Sequence, residues 1–527
     1  MNFHPSLTII VEDGFFCLIR KIFLGNKKLH APHTESGGNI MIKPNLDEAK
    51  RLAQGCTVIP IALEIFSDLR TPIEILKKLR EQSKDWYILE SVNGGDGWGR
   101  YTFLGYKPVL SIYGTKDEIT VQDGFGATTS NENVVEALRK MIAKYKSPRI
   151  PYLPPFTGGF VGYFAYDFVQ NFISGLQLNA KNTEGFQDFH LMMMNKVIAF
   201  DQLKQKIYLI VNIKVDDMER NYAEGIKELE KMKEMIFDES IPGGKKSSVC
   251  ESFSPVFTKD AFATMVEKVK HHIAEGDIFQ AVVANRFQAK FQGDLLNTYR
   301  ILRTTNPSPY MVYMKVGDVE IACSSPETLV SLRNGEVSSF PLAGTCKRGE
   351  TKEEDEALIE NLLKDEKELA EHDMLVDLAR NDVGKICRFG SVEVRAYRQI
   401  KTFSHVSHIG SHVSGELREG MEAIDVIAAA FPAGTLSGAP KKRSCEIIDE
   451  AEGVTRGVYG GAIGYIDFAG NMDMCIGIRM AVLKEGKVFV QAGAGIVADS
   501  IAENEYQETR NKAKAIMDAL KQNGEVQ

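Results

Sequence analysis

Short runs of β-branched and aromatic residues recur along the first half of this chain, and they constrain its fold more than any other feature. Examples are WYILES at 86–91, YTFLGY at 101–106 and KIYLIVNIKV at 206–215. Runs of these residue types between Gly, Asp or Lys boundaries are typical of β-strands. The first half is therefore predicted to be rich in β-sheet.

Helical patterns alternate with strands in both halves. In the second half, Thr258 is predicted to cap a helix that Gly276 ends. The runs IFQAVVANRF, YGGAIGYID, CIGIRMAVL and VFVQAGAG are predicted strands. A mixture of this kind indicates an α/β or α+β sandwich. The predicted helices cover residues 72–82, 132–146, 217–236, 354–380, 420–431, 440–451 and 502–521.

The length of 527 residues exceeds what one hydrophobic core usually holds, so two lobes are expected. The Gly/Ser/Lys/Pro stretch at 238–255 is the candidate linker. One lobe is predicted at 41–240 and a second at 250–527. Residues 1–40 carry an apolar patch that charged residues interrupt, so we expect a disordered extension or a mis-assigned start rather than a membrane span or a signal peptide.

Charge and cysteine usage exclude several classes of protein. Lys and Arg number 63 against 71 Asp and Glu, a formal charge of −8, and no long basic block occurs. This composition argues against nucleic-acid and anionic-membrane partners. The eight cysteines are scattered without a C-x-x-C pair, which favours reduced thiols and a cytoplasmic location.

Two predicted helices each carry a pair of glutamates. In ELAEHDMLVDLARND, helical spacing puts Glu368 and Glu371 on the face that also holds the leucines. Near the C-terminus, Glu505 and Glu508 are also three residues apart. Buried carboxylates need a compensating cation, and Mg²⁺ prefers such oxygens. The alternative is a pair of solvated acidic faces, with Lys512 pairing with Glu508.

Small residues mark two candidate anion sites. The stretch Gly493-Ala494-Gly495 is predicted as a turn between a strand and a helix, where backbone amides can approach an anion; an ordinary turn is the alternative. In CIGIRMAVL, strand alternation puts Arg479 on a face of small residues, which leaves room for a carboxylate ligand or for a structural acid. Those small residues are Cys475, Gly477 and Ala481.

Two further motifs resemble known sites only in part. The loop GTLSGAPK lacks the lysine spacing of a nucleoside-triphosphate loop. His405, His408 and His412 have neither a helical pattern nor a nearby cysteine to suggest zinc, so one catalytic histidine among structural ones is predicted.

Taken together, PLAGT, EHDMLVDLARND, GTLSGAPK, YGGAIGY and QAGAG resemble motifs of the chorismate-utilising enzymes, in their anthranilate synthase branch. The resemblance covers about residues 57–517. It implies a two-lobed fold with mostly antiparallel sheets flanked by helices, a regulatory lobe at 41–240 and a chorismate-binding catalytic lobe at 250–527. The implied activity makes anthranilate and pyruvate from chorismate and ammonia, at the start of tryptophan biosynthesis.

The resemblance also implies roles for particular residues. Glu371 and Glu508 match the family's Mg²⁺ ligands, with Glu368 and Glu505 as outer support, and a chorismate carboxylate completes the magnesium shell. Glu327 in SSPET matches the general acid, which needs a raised pKa, and His408 the histidine needed for aromatisation. The implied substrate contacts are Gly344, Thr345, Thr435, Tyr459, Arg479, Gly493, Ala494 and Gly495.

Two positions distinguish among the related enzymes. Isochorismate and salicylate synthases resemble this chain but carry a water-activating lysine where Gln280 stands. Aminodeoxychorismate synthases usually carry a nucleophilic lysine where Ala343 stands. Ammonia as a direct nucleophile, and anthranilate as product, are therefore favoured. Aminodeoxychorismate synthase is the alternative, and a non-catalytic aromatic-amino-acid sensor of the same fold is a remote one.

The resemblance implies a partner and an inhibitor as well. Because no cysteine lies in a G-x-C-x-G elbow, ammonia is expected from a separate glutaminase subunit, in a heterotetramer. L-Tryptophan is the expected feedback inhibitor, with Arg100 the only candidate for a basic residue that the family places after its ILES motif. Ordinary strand packing is the alternative for these positions. The implied tryptophan contacts are Glu90, Ser91, Pro309, Tyr310, Met311 and Tyr465.

Overall fold

The fold is a sandwich of two large antiparallel sheets with helices packed on them. The computed structural model describes residues 42–91, 98–240, 248–402 and 406–524, and Ile42–Gln527 form one compact unit. Within the described ranges, one sheet has 14 strands and the other 12. The predicted α/β or α+β sandwich with mostly antiparallel sheets is confirmed.

The strands are β1 Ile42–Lys43, β2 Val58–Phe66, β3 Trp86–Glu90, β4 Tyr101–Tyr106, β5 Leu110–Thr115, β6 Glu118–Asp123, β7 Gly126–Ser130, β8 Gly159–Phe164, β9 Phe189–Met194, β10 Lys196–Asp201, β11 Lys206–Lys214, β12 Val249–Cys250, β13 Ser254–Pro255, β14 Gln280–Gln292, β15 Tyr310–Val316, β16 Val319–Ser325, β17 Thr328–Arg333, β18 Glu336–Ser339, β19 Leu342–Lys347, β20 Glu393–Thr402, β21 Val406–Glu416, β22 Gly438–Ala439, β23 Ala462–Asp467, β24 Met472–Ile476, β25 Met480–Lys484 and β26 Lys487–Ile496. The order in the larger sheet is β1-β2-β11-β10-β4-β3-β15-β16-β25-β26-β14-β12, and in the smaller sheet β19-β21-β18-β17-β24-β23-β8-β9-β5-β6-β7. Strands β13 and β22 pair with β14 in the larger sheet, and β20 pairs with β21 in the smaller one.

The helices are α1 Leu46–Leu52, α2 Pro72–Gln82, α3 Val134–Ala143, α4 Met218–Phe237, α5 Lys259–Ala274, α6 Leu296–Thr305, α7 Lys352–Leu362, α8 Glu366–Gly384, α9 Ala423–Ala430, α10 Lys441–Glu452 and α11 Ala502–Gln522. No helix in the described ranges is both long and apolar enough to cross a membrane.

Capping residues explain several helix boundaries. The Thr258 side chain accepts from the Ala261 amide and starts α5, as predicted, and Gly276 follows its end with a φ of 80°. The single helix predicted at 354–380 is wrong, because two helices occupy that segment. Asp365 caps the second of them, α8, by accepting from the amides of Lys367 and Glu368.

Both sheets contain strands from either side of the candidate linker. In the larger sheet β3 pairs with β15, so that Glu90 lies opposite Met311. In the smaller sheet β8 pairs with β23, so that Val161 lies opposite Tyr465. Within the linker, residues 241–247 lie outside the described ranges. The division into a regulatory lobe and a catalytic lobe at residues 240–250 stays a prediction. Structurally, each sheet contains strands from both sides of that division.

A small hydrophobic cluster fixes the C-terminal helix. It lies among α5, α10, α11 and the strands β14 and β26, apart from the main core between the sheets. Within it, the rings of Phe262 and Tyr506 have centroids 5.7 Å apart. This packing orients α11 so that neighbouring side chains on the helix, Glu505 and Glu508, line a large cavity.

Candidate active site

A cavity of about 830 Å³ opens where β14, β19, β21, β26, α8 and α11 meet. It brings together residues that are more than 200 positions apart in the chain. Its lining includes Gln280, Glu327, Gly344, Thr345, Glu368, Glu371, His408, Thr435, Tyr459, Arg479, Gly493, Gly495, Glu505 and Glu508. Of the candidate catalytic, substrate and metal residues, Ala494 alone has its side chain elsewhere, in the small cluster behind β26.

Glu327 follows β16 and lies in the cavity wall. The Thr435 hydroxyl donates to its Oε1 atom at 3.0 Å, and the Ile476 amide donates to its backbone carbonyl at 3.0 Å. Burial raises the pKa of the Glu327 carboxyl to about 7, against the smaller opposing effects of Thr435 and Lys512. This carboxyl can therefore carry a proton near neutral pH, as a general acid must.

His408 lies on β21, directly opposite Thr345 on β19. Its Nδ1 atom is 2.9 Å from the Thr345 hydroxyl and 3.3 Å from the Gly344 carbonyl oxygen. Burial is the main cause that lowers the pKa of His408 below its usual value. A neutral ring whose Nδ1–H donates to Gly344 has Nε2 as its proton acceptor.

Gly344 shows why this part of the wall is built from a small residue. Its φ is 72°, and a Cβ atom there would lie 3.0 Å from Ile409 Cδ1 and 3.4 Å from Glu368 Oε2. A side chain at 344 would therefore be strained by the backbone and would press against Ile409, directly beside the Glu368 carboxylate.

The four glutamates line the cavity from two helices, Glu368 and Glu371 on α8 and Glu505 and Glu508 on α11. Burial, and then the charge of Glu368, raises the pKa of Glu371; burial also raises that of Glu505. Lys512 forms an ion pair with Glu508 at 2.5 Å. The spacing of four residues between them predicts this pair, which was the alternative to a metal site at Glu508.

These carboxylates fit a hard divalent cation. They are oxygen donors that disfavour one another's charge, and a cation would relieve that repulsion. In the described part of the chain, no group of three or more His, Cys, Asp and Glu side chains is assembled as a metal site.

Arg479 reaches the cavity by a route that strand alternation does not predict. The single strand predicted for CIGIRMAVL is wrong: β24 ends at Ile476 in the smaller sheet, and β25 begins at Met480 in the larger one. The chain crosses between the sheets, and Arg479 has a left-handed φ of 52°. Its Nη1 atom donates to the Lys512 carbonyl at 2.9 Å. Burial lowers the pKa of Arg479.

The turn predicted at Gly493-Ala494-Gly495 is also wrong, because these residues belong to β26. They pair with 282–284 on β14. Alternation along the strand turns Gly493 and Gly495 to the cavity and Ala494 to the core. A backbone hydrogen bond links Gly493 to the hydroxyl of Tyr459, which lies in the turn before β23.

Arg456 supports this wall from behind, and the motifs did not reveal it. Its guanidinium donates at 2.6 Å to the carbonyls of Val282 and Leu436, and it pairs with Glu452 on α10. Both charged side chains are buried. In the sequence, only their separation of four residues indicated that Glu452 and Arg456 could pair. Pairs with this spacing usually lie on solvated helix faces, so the spacing did not predict a buried pair.

The candidate tryptophan residues lie where the two sheets face each other. Glu90 accepts from Tyr299 at 2.5 Å and from Arg303 at 3.0 Å. The Tyr310 hydroxyl donates to Asp473 at 2.9 Å, and Asp473 lies opposite Tyr465 in the smaller sheet. The Glu90 contacts join β3 to α6, and the Tyr310–Asp473 bond joins β15 of the larger sheet to β24 of the smaller one.

The other residues of the candidate tryptophan site, and Arg100, differ in their burial and in their contacts. Met311 is buried, and Pro309 is half-buried. The hydroxyl of Ser91 is buried without a hydrogen-bond partner among the described residues. Arg100 pairs with Asp201 at 2.6 Å.

Known proteins resemble this chain over most of its length. The family model described as chorismate binding enzyme matches residues 91–518. "Anthranilate synthase component 1" of Acetivibrio thermocellus is 44% identical over 495 residues, which is 92% of this chain and 100% of that protein. The protein of the same name from Aquifex aeolicus is 43% identical, over 90% of this chain and 97% of its own length.

Solved structures show the same fold. Anthranilate synthase component I from Streptococcus pneumoniae has a TM-score of 0.72 and 37% identity, covering 86% of this chain and 98% of its own. The menaquinone-specific isochorismate synthase of Escherichia coli, at 18% identity, has a TM-score of 0.67 and covers 90% and 99%; it shares the fold. By sequence and by structure, the chain belongs to the family of chorismate-binding enzymes, in the anthranilate synthase component I group.

Proposed function

We propose that this enzyme converts chorismate and ammonia into anthranilate, pyruvate and water. The observation that carries the proposal is Glu327, a half-buried carboxyl whose pKa is raised to about 7, in one cavity with His408. An acid and a base in the same cavity match the two proton transfers that the reaction needs. Arg479, Tyr459 and the Gly493–Gly495 strand segment would bind the carboxylates of chorismate, beside Gly344 and Thr345.

In the first step, ammonia forms a bond to ring C2, the ring double bonds shift, and the C4 hydroxyl leaves. Glu327 donates its proton to that hydroxyl, which departs as water, and the ammonium group formed at C2 releases one proton to become an amine. The Thr435 hydroxyl, 3.0 Å from Glu327 Oε1, orients the acid. Gln280 lines the cavity and has a neutral amide, which cannot deprotonate water, so water is a poor nucleophile there.

In the second step, His408 removes the proton from C2 of the aminated ring. The bond between C3 and the enolpyruvyl oxygen breaks, the ring becomes aromatic, and enolpyruvate leaves and is protonated to pyruvate. Because its pKa is lowered, the imidazole of His408 is neutral at pH 7 and can accept this proton.

We propose Mg²⁺ as the cofactor, held by Glu371 and Glu508 with Glu368 and Glu505 in support. When bound, the ion would neutralise a chorismate carboxylate and stabilise charge that develops as the C–O bonds break. The donor set supports this assignment, because four cavity carboxylates leave an excess of negative charge that burial makes costly.

We propose a glutaminase subunit as the source of ammonia, in a heterotetramer. The relatives' name, component 1, implies a second component, and no cysteine of this chain lies in a G-x-C-x-G elbow. The described cysteines are free thiols, which supports a cytoplasmic location.

We propose L-tryptophan as a feedback inhibitor that binds between the sheets. Glu90 and Ser91 would hold its amino group, and Pro309, Tyr310, Met311 and Tyr465 would surround the indole. Supporting this, the Tyr310–Asp473 hydrogen bond links the larger sheet to the smaller one, and Glu90 binds to α6 beside it, so a ligand there could shift one sheet against the other.

Fluorescence detection of anthranilate tests the reaction. The purified chain, given chorismate, Mg²⁺ and ammonium at alkaline pH, is expected to make anthranilate, because free ammonia is then abundant. With glutamine in place of ammonium, the chain alone is expected to make none. Formation of 4-amino-4-deoxychorismate would instead identify aminodeoxychorismate synthase, and turnover with glutamine alone would contradict the separate glutaminase.

A further inference from the structure

The Lys512 side chain lies where α11 contacts β26 and residues 477–479, the segment that crosses between the two sheets. Its ammonium is 2.5 Å from Glu508 Oε1 and donates to the Gly493 carbonyl at 3.1 Å. Its own backbone carbonyl accepts from Arg479 at 2.9 Å. Lys512 is therefore held in place by a glutamate, a strand and an arginine that all line the cavity.

Lys512 also faces the other acidic groups of the cavity. Its charge favours the ionised forms of Glu327, Glu371 and Glu505, against the burial that raises their pKa values. Lys367 on α8 lines the same cavity and acts in the same sense on Glu371 and Glu505. Only one of these two lysines, Lys512, forms an ion pair among the described residues.

We propose that Lys512 is the resident counter-cation of this carboxylate cluster and competes with the divalent cation for Glu508. Without metal, its ammonium occupies one oxygen of Glu508 and limits repulsion among the glutamates. When a divalent cation takes Glu508, the ammonium is released into the cavity that the dicarboxylate substrate enters. This inference rests on the proposed metal site at Glu371 and Glu508.

The contacts favour competition over a purely structural ion pair. Glu508 keeps 45% of its side-chain surface and Lys512 38%, so both can separate without leaving a buried charge unpaired. A half-exposed pair is also weak enough for a divalent ion to displace. By contrast, the buried Arg456–Glu452 pair, with side chains 1% and 2% exposed, could not open at low cost.

Binding of Mn²⁺, followed through the electron paramagnetic resonance signal of the free ion, tests the inference without any turnover. Mn²⁺ takes the same oxygen ligands as Mg²⁺. We expect Lys512→Met to bind Mn²⁺ about five- to tenfold more tightly than the wild-type chain, since the competitor is gone. Lys367→Met removes an equal charge from the same cavity but no ion pair, so its affinity should rise less than about threefold.

Two further variants separate the possible outcomes. Lys512→Arg keeps the charge and the reach to Glu508, and should bind Mn²⁺ about as the wild type does. Glu371→Gln should weaken binding, because it removes a proposed ligand. Equal tightening in Lys512→Met and Lys367→Met, or none in Lys512→Met, would overturn the competition while leaving the metal site intact. If the folded wild type and Lys512→Met both bind no Mn²⁺, the metal site and the competition fall together.

Discussion

At the scale of single residues, burial is what adapts ordinary side chains to this chemistry. Glu327 and His408 line the same cavity, and burial is the largest cause of both pKa shifts. It raises the pKa of the acid and lowers that of the histidine, because it disfavours the charged form in each. One environment thus keeps Glu327 able to donate a proton and His408 able to accept one near pH 7.

Substituting Glu327 by Gln should separate activity from stability. The pKa of Glu327 is raised from 4.5 to about 7, so between these values the folded protein holds a proton that the unfolded chain releases. This carboxyl therefore lowers stability as pH rises through that window. Glu327→Gln, still able to accept from Thr435, should unfold with a free energy about 3 kcal/mol higher than wild type at about pH 8, and nearly equal to it at about pH 4.5. Anthranilate formation should fall at least about a hundredfold.

Urea denaturation at both pH values, together with the anthranilate assay, measures these effects. Thr435→Val is the matched control, because it removes the hydroxyl and leaves the carboxyl able to ionise. The same difference in unfolding free energy between Glu327→Gln and wild type at the two pH values would contradict the raised pKa.

Replacing His408 by Met should stop the second step and spare the first. In the proposed reaction, amination uses Glu327 and ammonia, whereas pyruvate loss needs a base at C2 of the ring. His408→Met is therefore expected to consume chorismate while 2-amino-2-deoxyisochorismate accumulates, as chromatography of intermediate, anthranilate and pyruvate would show. His412→Met is the control, since His412 bonds to Ser338 at 3.1 Å and stacks on Phe340. Equal loss of chorismate consumption and anthranilate in His408→Met would assign His408 to binding or folding.

At the scale of elements, the site depends on which face each helix and strand turns to the cavity. The first two turns of α8 carry Glu368 and Glu371 into the cavity, while Leu375 further along is buried. The carboxylates share the leucine face because that face runs from the cavity into the core. Strand β26 contributes in the same way, with Gly493 and Gly495 toward the cavity.

Two glycines of β26 should respond differently to the same substitution. A Cβ atom at Gly493 would lie 2.9 Å from Val282 Cγ1 and 3.0 Å from both the Tyr459 hydroxyl and the Val283 carbonyl, whereas at Gly495 it would meet no atom within 4 Å. Gly493→Ala should therefore lower the free energy of unfolding by about 1–3 kcal/mol.

Gly495→Ala should leave stability unchanged and raise KM for chorismate, because its methyl group enters the cavity. Thermal unfolding and steady-state kinetics of both variants distinguish the two effects. A stable Gly493→Ala with normal KM would contradict the close approach of β26 to Tyr459.

At the scale of the whole molecule, the pairing of β3 with β15 and of β8 with β23 ties the two halves into shared sheets. A fragment of residues 250–527 would leave β15 and β23 each with one exposed edge, because each loses one of its two partner strands, and the fragment should be largely unfolded by circular dichroism. Co-expression with residues 1–240 should restore the fold, and the full chain should unfold in one transition with urea. Cooperative unfolding of the isolated 250–527 fragment would contradict this expectation.

The sequence by itself determined the local structure and the chemistry-bearing residue types. Thr258, the helical spacing of Glu368 and Glu371, and the β-branched runs act through contacts within a few residues, which spacing predicts well. The family motifs likewise placed Glu327, His408 and Arg479 among the site candidates. His405, the neighbouring candidate, lies outside the described residues.

Only the tertiary structure decided where the segments meet and how the chain passes between sheets. The crossing at Gly477–Arg479 and the continuation of β26 through Gly493-Ala494-Gly495 both depend on partner strands far away in the chain, so alternation and turn propensity predicted them wrongly. The same is true of Arg456, whose burial is set by β14, the 434–436 turn and α10 together. Long-range pairing, which no local pattern encodes, converts a dispersed set of carboxylates, glycines and one arginine into a single cavity.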